Sequence, residues 1–201
     1  MITSLTAEKL ACVRGERTLF EGLSFRVAAG QALAVEGANG AGKTSLLRML
    51  GGFLTPRSGR LVLKIGDEES DDAEERGKFV GWLAHQDGLK PQLTVHEQLT
   101  FFARLYGSAS DTAAILEEVG LARQRDFPCR YLSAGQKRRL ALARLMVSRR
   151  SLWLLDEPFA ALDRDGQALM ARQMALHCGQ GGLIIAATHD PLGLGNASLR
   201  L

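Results

Sequence analysis

The chain has 201 residues, 46% of them hydrophobic and 23% charged, with a formal net charge of +3. That is the make-up of one ordinary globular domain, and it excludes a disordered, collagen-like or small disulfide-held protein. So small a charge excess makes no polyanion-binding surface by itself, no nucleic-acid partner is expected, and no apolar run approaches the roughly 20 residues that span a bilayer.

In chain order, the amino terminus MITSLTAEKLACV lacks a basic start followed by an apolar core, so no secretory signal is expected and the protein should stay in the cytosol. Gln31 to Glu36 is a short apolar run closed by Gly37, and leucines then recur at helical spacing from Thr44 to Leu50. Strand, glycine turn and helix open an α/β unit. Asp67 to Glu75 holds seven acidic residues in nine positions and reads as a solvated surface loop.

Phe79 to Ala84, Ser151 to Leu155 and Leu183 to Ala187 are further short apolar runs, as strands buried on both faces of a parallel sheet require. Between the first two, Thr94 to Tyr106 places Val95, Leu99, Phe102 and Tyr106 on one helical face, with Thr94 and Glu97 at capping-box spacing. Asp111 to Val119 reads as a second helix capped by Asp111. Two helices in succession predict a helical insertion over about residues 87–132. Cys12, Cys129 and Cys178 are odd in number and far apart, as reduced thiols are, and the four histidines show no metal-ligand spacing.

Three stretches carry chemistry. Gly37-Ala38-Asn39-Gly40-Ala41-Gly42-Lys43-Thr44 satisfies G-x-x-x-x-G-K-[ST] between a strand and a helix. A triphosphate must be wrapped by several backbone N–H groups at once, so glycines let the chain curl into an anion-binding nest at the helix N-terminus. Lys43 supplies charge to the β- and γ-phosphates, Thr44 offers a hydroxyl to Mg²⁺, and Ser45 completes the nucleotide-binding run. Leu152 to Leu155 delivers Asp156 and Glu157 to the C-terminal edge of the sheet, Asp156 placed for Mg²⁺ and Glu157 for a water aimed at the γ-phosphate. Leu132-Ser133-Ala134-Gly135-Gln136 opens a helix whose free N–H groups and positive dipole end suit a second phosphate contact. The basic triplet Lys137-Arg138-Arg139 that follows reads as a solvated helix face.

Phosphate loop, LSAGQ, Asp156-Glu157, Ala161-Leu162-Asp163 and Thr188-His189-Asp190 together resemble the nucleotide-binding subunit of an ABC transporter over nearly the whole chain. The intervals fit as well: 43 residues from Lys43 to Gln86, 47 from there to Ser133, 23 to Asp156 and 33 to His189. The resemblance implies an α/β fold of the P-loop NTPase class, an ABC-type ATPase core with a mainly parallel sheet, N-terminal antiparallel strands and a helical subdomain, in one domain over 1–201. It implies ATP and Mg²⁺ as cofactors, Gln86 touching Mg²⁺ and the attacking water, and His189 contacting the γ-phosphate. Glu157, His189, Gln86 and Lys43 would form the catalytic set. Ser133, Ala134, Gly135 and Gln136 would act in trans on the ATP of a second copy, forming a homodimer, with Asp163 in the loop that crosses between subunits.

Three positions depart from that pattern. Ala134 stands where Gly is commonest, and Ala160 replaces a frequent Ser. Aligning Leu10 to Arg17 with the family's opening strand puts Arg14 where an aromatic usually stacks on adenine. A guanidinium plane can stack on a base too, so Arg14 keeps base binding with weak base discrimination.

Within the family, Arg14, Arg17-Thr18-Leu19-Phe20, the stretch Trp82 to Lys90, Leu93-Thr94 and LSAGQ-K-R-R resemble the ATPases of the cytochrome c maturation system, linked to haem export or release of a haem chaperone. That resemblance implies an integral membrane partner like CcmB, with CcmC, CcmD and the chaperone CcmE nearby, and a peripheral place on the cytoplasmic face of the inner membrane. Phe101, Phe102 and Tyr106 read either as the groove for that partner's coupling helix or as core. An ABC transporter ATPase for another substrate, or a non-transport ABC ATPase acting on ribosomes or DNA, is the alternative. A nucleotide kinase or GTPase leaves LSAGQ unexplained.

Overall fold

The computed structural model describes residues 2–86, 88–193 and 197–201. Asp87, within the Trp82 to Lys90 stretch, lies outside them. The chain forms two compact units, the first made of Met1–Trp82, Arg150–Pro158 and Met174–Leu201, the second of Leu83–Arg149 and Phe159–Gln173.

The first unit begins with a long hairpin, β1 (Ile2–Arg14) and β2 (Arg17–Ala28), with Gly15 supplying the positive φ of the two-residue turn. β3 (Ala32–Glu36) leads into α1 (Lys43–Leu50), and β4 (Ser58–Ile65) with β5 (Glu68–Ser70) makes a second hairpin. α2 (Ala73–Gly77), β6 (Val80–Leu83), β7 (Leu152–Asp156), β8 (Leu183–Ala187) and β9 (Ala197–Arg200) complete it. Two sheets result, in the orders β2-β1-β4-β5 and β6-β7-β8-β3-β9. The first is antiparallel, and β7, β8, β3 and β9 run parallel in the second.

Both apolar faces feed one core. Leu5, Leu10, Leu61 and Leu63 of the first sheet pack in the same buried cluster as Leu46, Leu47 and Leu50 of α1 and Leu33, Val35, Leu154 and Ile185 of the second. Every residue of β7 and β8 is buried, as their unbroken apolar runs require.

The acidic segment is not the expected loop. Gly66 and Asp67 turn the chain, Glu68–Ser70 pairs with β4, and Asp72 accepts the Glu74 amide to cap α2. Its carboxylates stay largely exposed, so the charge pattern reported solvation correctly but said nothing of hydrogen bonding. Arg76 explains why the segment is ordered: its buried Nε donates to the Leu50 carbonyl at 2.8 Å, satisfying the C-terminal end of α1.

The second unit contains α3 (Val95–Leu105), α4 (Thr112–Glu118), α5 (Ala134–Ser148) and the start of α6 (Arg164–Gly179). It includes the 87–132 region, and also α5, which packs on α3 and α4. Thr94 and Glu97 form the full capping box, and Asp111 accepts two amides of α4. Of the three α3 aromatics, Phe101 is exposed, while Phe102 lies half-buried under the Arg144 guanidinium at 5.0 Å and stacks on Tyr106.

Within the first unit, His177 near the end of α6 stacks on Trp153 of β7, centroids 4.1 Å apart. A Cβ on Gly182 would overlap the imidazole, so glycine is required there. Burial pushes the His177 pKa down to about 4, the backbone at Leu183 and Ser151 offsetting it in part. The unfolded chain therefore takes up this proton near pH 6.5 and the folded one does not until about pH 4. Stability is lost as pH falls through that window, by about 3 kcal/mol at its lower end. Thermal unfolding of wild type against His177→Phe between pH 7 and 4 measures it: the variant should lose correspondingly less stability on acidification.

Candidate functional site

β3 ends in the glycine-rich loop Gly37 to Thr44, the expected phosphate loop. Gly37, Gly40 and Gly42 have φ of +149°, +82° and +110°, and a Cβ on Gly42 would stand 3.2 Å from the Phe20 ring, so both conformation and space demand glycine there. Gly42 is also the N-cap of α1 and places no side chain over the first amides of the helix, which remain donors for an anion.

Five expected side chains meet in this unit. Lys43 is buried, and its Nζ donates to the Gly37 carbonyl at 2.7 Å and lies 3.2 Å from His189 Nε2. Glu157 Oε1 is 3.6 Å from the same nitrogen. Thr44 Oγ1 donates to Asp156 Oδ2 at 3.0 Å, bringing together two hard oxygen ligands of the kind Mg²⁺ takes. Ser45 turns its hydroxyl to the buried Cys12 thiol, whose pKa burial raises.

Backbone geometry marks the same place. Glu157 is held at φ +48° by a 2.8 Å bond from its amide to the Ala187 carbonyl, a conformation costing a side-chain-bearing residue about 1–2 kcal/mol. The buried Thr188 hydroxyl accepts from the Asp190 amide and donates to the Asp190 carbonyl, fixing the turn that presents His189. Of the other sequence candidates, Arg14 is exposed at the tip of the first hairpin, and Gln86 is exposed in the bend after β6, where the chain already belongs to the second unit.

The second unit gathers the other set. Ser133 and Gln136 form a reciprocal capping box at the start of α5, the Gln136 amide donating to Ser133 Oγ at 3.2 Å and the Ser133 amide to Gln136 Oε1 at 2.9 Å. A hydroxyl that accepts this bond keeps its own hydrogen to donate outward. Ala134 is exposed, so its methyl costs nothing in packing, whereas a Cβ on Gly135 would stand 2.9 Å from the Ala161 carbonyl. Ala161 itself is left-handed, at φ +62°. Asp163 Oδ1 accepts from the Gly166 amide at 2.8 Å and from Arg139 Nη2 at 2.6 Å, and both hold its pKa below the usual carboxylate range.

The basic triplet corrects the solvated-face expectation. Arg138 is 3% exposed and Arg139 is largely covered, because α5 turns these positions into the unit. Sequence could not separate them from surface arginines, the run of three cations being equally consistent with solvent.

Among the described residues no helix is long and apolar enough to cross a membrane, and no cluster of His, Cys, Asp and Glu forms a metal cage. The model of the ABC transporter family matches residues 20–160. The cytochrome c biogenesis ATP-binding export protein CcmA of Rhodopseudomonas palustris strain BisB5 is 49% identical over 198 residues, covering 98% of this chain and 97% of that protein. CcmA of Bradyrhizobium diazoefficiens is 47% identical, with the same coverage of both chains. Among solved structures, an ATP-binding cassette described as a dimer in a post-hydrolysis state bound to ADP and Pi superposes with a TM-score of 0.78 at 23% identity, covering 92% of this chain and 88% of that one.

Proposed function

The chain belongs to the ABC transporter family and is an ABC-type ATPase, and from that premise we propose that it is the ATP-hydrolysing subunit of an export complex serving cytochrome c biogenesis. The observation that carries this reading is 47–49% identity over nearly the full length to CcmA proteins of two bacteria, in a chain whose Lys43, Thr44, Asp156, Glu157 and His189 converge.

In this reading the loop Gly37 to Thr44, with Ser45, wraps the triphosphate through its amides, and Lys43 exchanges the Gly37 carbonyl for β- and γ-phosphate oxygens. Water attacks the γ-phosphorus in line. Glu157 takes its proton, and His189 binds a γ-phosphate oxygen and holds the water on line. Thr44, Asp156 and Gln86 would hold Mg²⁺, which supplies neutralisation of the charge shared by the β- and γ-phosphates. Arg14 stacks on the base. Ser133, Ala134, Gly135 and Gln136 close over the γ-phosphate of the ATP on a second copy, the Ser133 hydroxyl donating, and Asp163 lies at the crossing between copies.

The ATPase itself has no described membrane-crossing helix, so mechanical work is passed to an integral partner of the CcmB kind at the cytoplasmic face of the inner membrane, with CcmC, CcmD and CcmE in the wider assembly. Exposed Phe101 of α3 belongs to the surface that this partner meets. Purifying the tagged chain from its native membrane in mild detergent and sequencing what accompanies it tests the proposal. A cytochrome c maturation membrane protein is expected. Recovery with ribosomes or DNA instead would overturn it.

A further inference from the structure

α5 makes one contact that the mechanism above does not use. Arg138 lies five residues behind Ser133, is 3% exposed, and donates from Nη1 to the Ala84 carbonyl at 2.7 Å. A cation so deeply covered persists only where acceptors meet it, and a bond this short from guanidinium to carbonyl is of the strong, charge-assisted kind. The acceptor is main chain, two residues before Gln86. An independent observation agrees: the contacts of the chain pass to the second unit at Leu83, so Ala84 to Gln86 groups with α5 although β6 has only just ended. The planar guanidinium thus forms a crossbar between the helix that opens with Ser133 and the backbone that carries Gln86.

We infer that Arg138 is a positioning residue for hydrolysis: it ties the Gln86 segment to the Ser133 helix so that the two move as one body. The inference rests on the role given to Gln86 above. Arg138 does not touch nucleotide and acts through the placement of Gln86, so its loss lowers turnover and leaves nucleotide affinity alone. Lysine keeps the charge and a single donor nitrogen on a flexible stem and should restore most of the function.

The test is a double-mutant cycle in the full chain, with kcat and KM for ATP measured for wild type, Arg138→Met, Gln86→Ala and the pair. Arg138→Met should lower kcat about tenfold with KM within about twofold, and Arg138→Lys should recover to within about threefold of wild type. The pair should be no slower than the slower single variant. Backbone nitrogen-15 order parameters at His85 and Gln86 should fall in Arg138→Met while the amides of Leu140 to Val147 keep their exchange protection, which separates loosening of the segment from unfolding of the helix. Unchanged order parameters at His85 and Gln86 overturn the inference, as do effects that multiply in the pair when Gln86→Ala alone is impaired. A Gln86→Ala chain with wild-type kcat refutes the role of Gln86 in the proposed function and, with it, the catalytic half of the inference.

Discussion

Glu157→Gln should lower kcat by about a thousandfold while ATP stays bound. The amide has the shape of the carboxylate and can occupy the same left-handed backbone position, so the tie from residue 157 to Ala187 survives and the fold is not the variable. What disappears is the carboxylate 3.6 Å from His189 Nε2 that accepts the proton of the attacking water in the proposed function. Removing that negative charge also removes repulsion against the γ-phosphate, so an ATP-loaded pair of chains should accumulate. Single-turnover phosphate release and gel filtration with ATP give the two readings. A variant hydrolysing at near wild-type rate would take Glu157 out of the role of base.

Ser133→Arg should cut hydrolysis by at least about a hundredfold and leave binding of nucleotide to the chain's own phosphate loop within about threefold. The reason is that Ser133 and the phosphate loop belong to different units of one chain. The substitution removes the hydroxyl of the capping box, worth about 1 kcal/mol to α5, and projects a long cation at the point where, in the proposed function, a second copy closes. Titration with a fluorescent ATP analogue reports the first property and light scattering with ATP the second. Loss of analogue binding would mean that the site is not shared between copies. Hydrolysis at the wild-type rate would mean that Ser133 has no part in it.

Every motif whose physics is local was legible before any coordinates. The phosphate loop declares itself because each glycine answers a backbone demand within eight residues, and the caps at Thr94, Asp111 and Ser133 because donor and acceptor lie two or three residues apart. Unbroken apolar runs likewise mark β7 and β8, since a strand covered on both faces needs apolar side chains on both. Acidic Glu68 to Ser70 illustrates the reverse: its side chains want water, but whether its backbone pairs is decided by β4, which the segment's own composition does not describe.

Arg138 and His177 belong to that second class. Sequence alone determined which residue types were available, where the chain turns, and that a glycine loop must sit between β3 and α1. Tertiary structure alone decided that Arg138 is buried beneath a carbonyl 54 positions away, that His177 lies against Trp153 and resists protonation, and that Lys43 meets His189 across 146 residues. Local patterns encode interactions whose partners are close along the chain. Burial and long-range pairing depend on where distant segments are brought together, and no window of residues contains that information.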